Sequence, residues 1–271
     1  MSPADERPRV LITGASSGIG LACARLLAAR GWRVFAAARS RPEPPADAAI
    51  EHLTVDVRRS SSVQDAVDTI QLAAGGLDAV VCNAGVGLFG SIEHVTVERA
   101  AALWETNVMG VLRTLRATLP LLRAARRGRV VIVGSLAGRA PIPFQGHYSA
   151  SKAALEAIAL SLRNELRGSG VTVSLVEPGD IRTRFNESTD WGEPEPPAYR
   201  DAAERCRRVV EKSLTAAPGP ELVAQVVAHA LRVRWPRMRY TVGPDSRVVP
   251  IGRRLLPDWL VLRLIRSHFE L

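Results

Sequence analysis

The sequence predicts an α/β fold: a doubly wound parallel sheet with helices on both faces. Three observations predict it. Short β-branched runs alternate with helical stretches along most of the 271 residues, the order that gives parallel strands joined by crossover helices. Runs such as VVIV at 130–133 are apolar at every position, as strands buried on both faces are. A hydrophobic content of 46% is ample for one large core.

Taken in order, RVLIT at 9–13 reads as the first strand, followed by a helix over 18–30 that ends at Gly31. RVFAAA at 33–38 and HLTVDV at 52–57 are the next strands, and 60–74 is a helix. LDAVV at 77–81 is the fourth strand, with one long helix across roughly 97–126. RVVIVGS at 129–135 is the fifth strand, 147–168 a helix, and VTVSLVEP at 171–178 the sixth strand. Residues 180–220 then carry Pro, Gly and charge with a helix near 199–213. The segment is too long for an ordinary connection, so a substrate loop or lid is expected. A helix at 220–234 and a short strand at 238–242 follow. The last stretch, 250–271, is amphipathic and basic, and is read as a packed terminal helix in preference to a membrane-surface anchor. With no internal repeat and no boundary, residues 1–271 form one domain.

Composition narrows the function classes. The net charge of +9 comes from arginines spread along the chain, and aromatics make up only 5%, so no interleaved stacking surface for nucleic acid is expected. Cys23, Cys82 and Cys206 are far apart, without CxxC or Cys/His spacing, which predicts reduced thiols, a cytoplasmic location and no metal. The N-terminus lacks the apolar core of a secretory signal.

Of 36 basic residues only Lys152 and Lys212 are lysine. Lys152 follows Tyr148 by four positions in YSASK, on the same face of a helix. A phenol with a pKa of roughly 10 is a poor base at neutral pH, and a fixed ammonium nearby favours its phenolate. At about 4 Å and an effective dielectric near 20 the attraction is on the order of 4 kcal/mol before desolvation. After the first strand comes TGASSGIG, Thr13 to Gly20. Glycines there allow a sharp turn and close approach of a pyrophosphate to the free N–H groups of the following helix.

From Val10 to about Thr183 the chain resembles the short-chain dehydrogenase/reductase family, in the branch that includes hydroxysteroid and retinol dehydrogenases. TGASSGIG matches its glycine motif, which implies cofactor contacts from Gly14, Ser16, Ser17, Gly18, Ile19 and Gly20. Asp56 matches the residue at the adenine ring, with Val57 beside it. CNAG resembles the NNAG motif through Asn83, Ala84 and Gly85, with Cys82 in place of the first Asn. The resemblance implies a Rossmann-type sheet and a catalytic set of Asn107, Ser135, Tyr148 and Lys152. In that set Tyr148 moves the proton, Ser135 polarises the same oxygen, and Lys152 lowers the Tyr148 pKa and binds the ribose. Asn107 holds a water. PGDIRT implies nicotinamide contacts from Pro178, Gly179, Ile181 and Thr183. Strand two ends at Ala38 without an acid, and Arg39 and Arg41 follow, which in the family indicates NADP(H) over NAD(H). The implied pocket draws on Leu136, Phe144, Phe185 and Trp191, which fits a lipophilic ketone, aldehyde or alcohol. A homodimer or homotetramer through the two long helices is implied. An acyl-carrier-protein ketoreductase and an NADP(H)-binding sensor are the competing readings.

Overall fold

The computed structural model describes residues 7–40, 50–125, 127–246 and 248–271. Strands β1 (Arg9–Thr13), β2 (Arg33–Ala38), β3 (Ile50–Thr54), β4 (Ala79–Cys82), β5 (Arg129–Val133), β6 (Thr172–Pro178) and β7 (Arg239–Val242) form one sheet in the order β3-β2-β1-β4-β5-β6-β7. Every pairing is parallel. The helices are α1 (Gly18–Ala29), α2 (Ser60–Ala74), α3 (Val97–Trp104), α4 (Gly110–Ala124) and α5 (Gly146–Glu165). After β6 come α6 (Pro197–Ala216), α7 (Glu221–Arg232), α8 (Val248–Leu255) and α9 (Asp258–His268).

Alternation along the strands explains why the central ones are largely apolar. Val10, Ile12, Val131 and Val133 face a core closed by α1 and α7, where Cys23, Leu27, Val223 and Val227 are buried. Leu11, Val130 and Ile132 face the opposite core, closed by α2, α4 and α5 through Ile70, Leu122 and Leu155. Side chains two apart share a face, so both faces are buried; the polar Ser174 and Glu177 of β6 are buried with partners, the Arg237 carbonyl and the Arg139 guanidinium.

The expected strand–helix order is observed, with shifts of a residue or two at most ends. The long helix over 97–126 differs: Glu105–Met109 form a π-helical turn between α3 and α4. Such a turn carries one extra residue per turn and is common at functional positions. The 180–220 stretch, expected as a substrate loop or lid, lines the cavity described below through Ile181, Thr183, Phe185 and Leu214 and is tied to the body at two points. Asp190 makes a β-bridge to Leu88, and its N–H donates to the Gly87 carbonyl at 3.0 Å. The buried Glu195 carboxylate accepts from the Ser91 N–H at 2.9 Å and its hydroxyl at 2.6 Å. Strand order reverses between β1 and β4, which opens a crevice beyond their C-terminal ends, the usual ligand site of such sheets.

Candidate active site

The glycine turn occupies that crevice. Gly14 has φ +68, and a Cβ there would stand 2.7 Å from the Ala84 Cα. A Cβ on Gly20 would meet the Gly14 carbonyl oxygen at 2.2 Å, so α1 can enter this close to β1 only through glycine. Asn83 fastens the turn from the other side. Its Nδ2 donates to the Thr13 and Gly14 carbonyls, each at 3.1 Å, and its N–H donates to the Thr13 hydroxyl. The Thr13 hydroxyl also takes the Ala84 N–H at 3.2 Å. The motif residues after β1 and β4 thus form one hydrogen-bonded unit. Ser17 precedes α1 without capping it, and the first turn of α1 carries no acid. Its N–H groups are therefore oriented for an anion.

The PGDIRT segment closes over this unit. The Gly179 N–H donates to the Val242 carbonyl at 2.8 Å, and a Cβ on Gly18 would be 3.2 Å from the Thr183 Cβ. Beyond the end of β2, Arg39 lines the same cavity as Asp56 and Val57, and so does Arg58, which the sequence reading missed. The Arg58 guanidinium grips Asp56, Nη2 to Oδ2 at 2.7 Å, and holds the carboxyl at about 2. An Asp followed two residues later by Arg was a readable local signal. Arg41 lies outside the described residues.

Ser135 leaves β5, and its hydroxyl accepts the Ala137 N–H at 3.1 Å while bonding the Tyr148 phenol. Lys152 lies one turn beyond Tyr148 on α5, buried, with Nζ 5.7 Å from the Tyr148 ring centre. The expected depression of the phenol pKa is not found. Burial pushes Tyr148 up to about 12, with the Ser135 hydrogen bond opposing and Asp180 adding to the rise. Lys152 gives no offset, because its Nζ donates to the Val133 carbonyl at 3.1 Å. Burial brings Lys152 down to about 8. Asn107 sits in the π turn, fully buried, and donates through Nδ2 to the Val86 carbonyl at 3.0 Å and the Ser151 hydroxyl at 3.1 Å. Its Oδ1 accepts the Val86 N–H at 2.8 Å. The side chain therefore ties the segment after Gly85 to α5.

A cavity of about 610 Å³ connects these groups, from Gly14 and Arg39 past Gly85 and Ser135 to Tyr148, Lys152 and Thr183. Its continuity, the crowded glycines and the cationic end fit a dinucleotide. Leu136 and Phe185 line it as expected, with the Phe185 ring 5.7 Å from that of Tyr148. Phe144 and Trp191 do not. They stack on Phe89 at 5.9 and 5.4 Å in a separate small core. That core holds the 189–196 segment against the body, so both aromatics are spent on packing. The outer wall comes from elements with no motif: Val210 and Leu214 of α6, Val249 of α8, Leu256 just after it, and Val261 and Ile265 of α9. The signal was the apolar spacing of 249, 256, 261 and 265 within a segment otherwise rich in arginine.

The family model described as short chain dehydrogenase matches residues 8–193. The chain belongs to this family. It is therefore an oxidoreductase of alcohol and carbonyl groups with a nucleotide-binding Rossmann fold. Among curated family members, the chain is 33% identical over 265 residues to a 3-ketodihydrosphingosine reductase of Bacteroides thetaiotaomicron, covering 97% of this chain and 98% of that one. It is 37% identical over 275 residues to human 17-beta-hydroxysteroid dehydrogenase type 1, covering 93% and 82%. The crystal structure of a short-chain dehydrogenase from Streptomyces avermitilis superposes with a TM-score of 0.82 at 28% identity, over 98% and 97% of the chains.

Proposed function

We propose that this dehydrogenase interconverts a lipophilic ketone or aldehyde and its alcohol with NADP(H), using Tyr148 as general acid and base. The observation that carries the reading is a phenol, hydrogen-bonded to Ser135, at the base of a cavity whose outer wall is mostly apolar, with Arg253 and His268 among its residues. The nicotinamide, when bound, supplies or accepts the hydride. With its pKa near 12, Tyr148 is protonated at neutral pH and set to donate to a developing alkoxide. Ser135 would polarise the same substrate oxygen. Lys152, with a pKa near 8, is cationic at pH 7, and would bind the nicotinamide ribose. Gly18, Ile19 and the N–H groups of α1 would hold the pyrophosphate. Arg39 and Arg58 would take the 2′-phosphate. The names of the two curated relatives, a 3-ketodihydrosphingosine reductase and a 17-beta-hydroxysteroid dehydrogenase, support an apolar substrate. The partly exposed Met109, Leu112 and Leu160, in the π turn and on α4 and α5, support a homodimer or homotetramer built on those helices.

The test is nicotinamide absorbance with lipophilic ketones and aldehydes, NADPH and NADH in parallel, for wild type and Tyr148→Phe. NADPH oxidation falling roughly 10²- to 10⁴-fold in the variant is expected. Undiminished turnover by Tyr148→Phe would remove the phenol from the mechanism, and preference for NADH would overturn the cofactor assignment.

A further inference from the structure

Helices α8 and α9 have two apolar faces, and the cavity accounts for only one. Val249, Leu256, Val261 and Ile265 point to the cavity. On the outside, Ile251, Leu255, Trp259 and Leu262 are exposed, Leu255 at 72% and Trp259 at 65%. None of these four lines the cavity, and α8 has no buried residue. Large apolar side chains grouped on the exposed face of two consecutive helices point to an interaction surface. Arginines lie among the apolar residues. Arg254, Arg263 and Arg266 are exposed and make no ion pair among the described residues, while Arg253 bonds Asp258 at 2.9 Å.

We infer that the outer face of α8 and α9 docks on an anionic lipid bilayer, placing the wall of the cavity against the membrane so that an apolar substrate enters from the lipid. The entry step rests on the lipophilic substrate reading above; the docking does not. The two helices, of 8 and 11 residues, are too short to span a bilayer. No helix among the described residues is long and apolar enough to cross one. Lying in the interface, they bury Leu255 and Leu262, hold Trp259 at the headgroup level and present arginine to lipid phosphates. A second copy of the chain fits this face less well. A twofold contact sets a patch against itself, which would bring the arginines of one copy onto those of the other. Once docked, the bilayer and the active-site cavity are separated only by the thickness of α8 and α9, with Gly252 in the lining between them.

The experiment is co-sedimentation of the full chain with vesicles of phosphatidylcholine, with and without phosphatidylserine, at low and high salt. Two variants accompany it: Leu255→Ser/Trp259→Ser/Leu262→Ser, and Arg254→Glu/Arg263→Glu/Arg266→Glu. NADPH binding, read by fluorescence, confirms that each variant is folded. Wild type is expected to pellet with anionic vesicles and to release in high salt. At about 1 kcal/mol per arginine, loss of three alone weakens binding roughly 100-fold. The serine variant is expected to stay in the supernatant. Wild type remaining in the supernatant with anionic vesicles would overturn the inference. So would a wild-type dimer that the serine variant converts to monomer, which would give the face to a second copy. Turnover of a short, water-soluble ketone is followed separately, so failure of the proposed chemistry is distinguishable from failure of docking.

Discussion

Replacing Lys152 with methionine separates what this residue does for the fold from what it does for chemistry. Its ammonium is buried with one hydrogen bond, to the Val133 carbonyl, and its pKa falls from 10.5 to about 8. Holding the charge there costs roughly 3 kcal/mol at pH 7, at 1.36 kcal/mol per pH unit. Methionine keeps the length and removes the charge, but leaves the carbonyl without its donor, a loss of about 1–2 kcal/mol. The variant should therefore be more stable than wild type by about 1–2 kcal/mol at pH 7. The pH dependence supplies the sign check. A lysine whose folded pKa is depressed destabilises fully below about 8, and the cost disappears as pH rises to 10.5. Wild type should gain on the variant across that window and overtake it at about pH 9–10, where the remaining charge cost falls below the worth of its hydrogen bond. Urea unfolding of both proteins at pH 7 and at steps up to pH 10.5 measures this directly, since other titrating groups are common to the pair. A stability difference that stays constant across the window would refute the reasoning, as would a variant less stable at pH 7. Activity should fall despite the gain in stability, because the site loses the cation proposed to hold the nicotinamide ribose.

Arg39→Ala should raise the NADPH KM by roughly 10- to 100-fold, the value of one charge-assisted hydrogen bond, with little change for NADH. Arg58→Ala should do the same and release the Asp56 carboxyl from about 2 toward its ordinary 3.8; equal losses with both cofactors would limit Arg58 to holding Asp56. Gly20→Ala, whose Cβ would be 2.2 Å from a carbonyl oxygen, should destabilise by several kcal/mol and abolish dinucleotide binding, measured by thermal unfolding and NADPH fluorescence. Val261→Trp should fill the cavity between α9 and Tyr148, reducing kcat/KM for long-chain ketones far more than for short ones; parallel losses would mean that α9 does not shape the substrate site.

Much of the fold was readable because its signals are local. Strand runs and glycine turns announce themselves within a few residues, and the order TGASSGIG, CNAG, YSASK and PGDIRT could be followed along the chain. What stayed hidden depended on packing. Phe144 and Trp191 are aromatics from segments close to the site, yet stacking on Phe89 turns them away from the cavity, and no sequence interval records that. The spacing of Tyr148 and Lys152 gave their shared face correctly but not the desolvation that raises the phenol, nor the Val133 carbonyl that holds the ammonium. The cavity wall of α8 and α9 was missed for a different reason: both faces of that segment carry apolar residues, and periodicity alone does not say which one faces inward.

The π turn between α3 and α4 has a consequence for how this chain tolerates insertions and deletions. A π turn takes up one extra residue within a single wide turn, so the helix after it keeps the face it would have without the insertion. Deleting a single position within Glu105–Met109 would therefore restore a regular helix and leave Val111, Leu115 and Leu122 sealing α4 onto the sheet. Asn107, inside the turn, would lose its place against Val86 and Ser151. A chain shortened there should stay folded and lose the tie between Val86 and α5 alone.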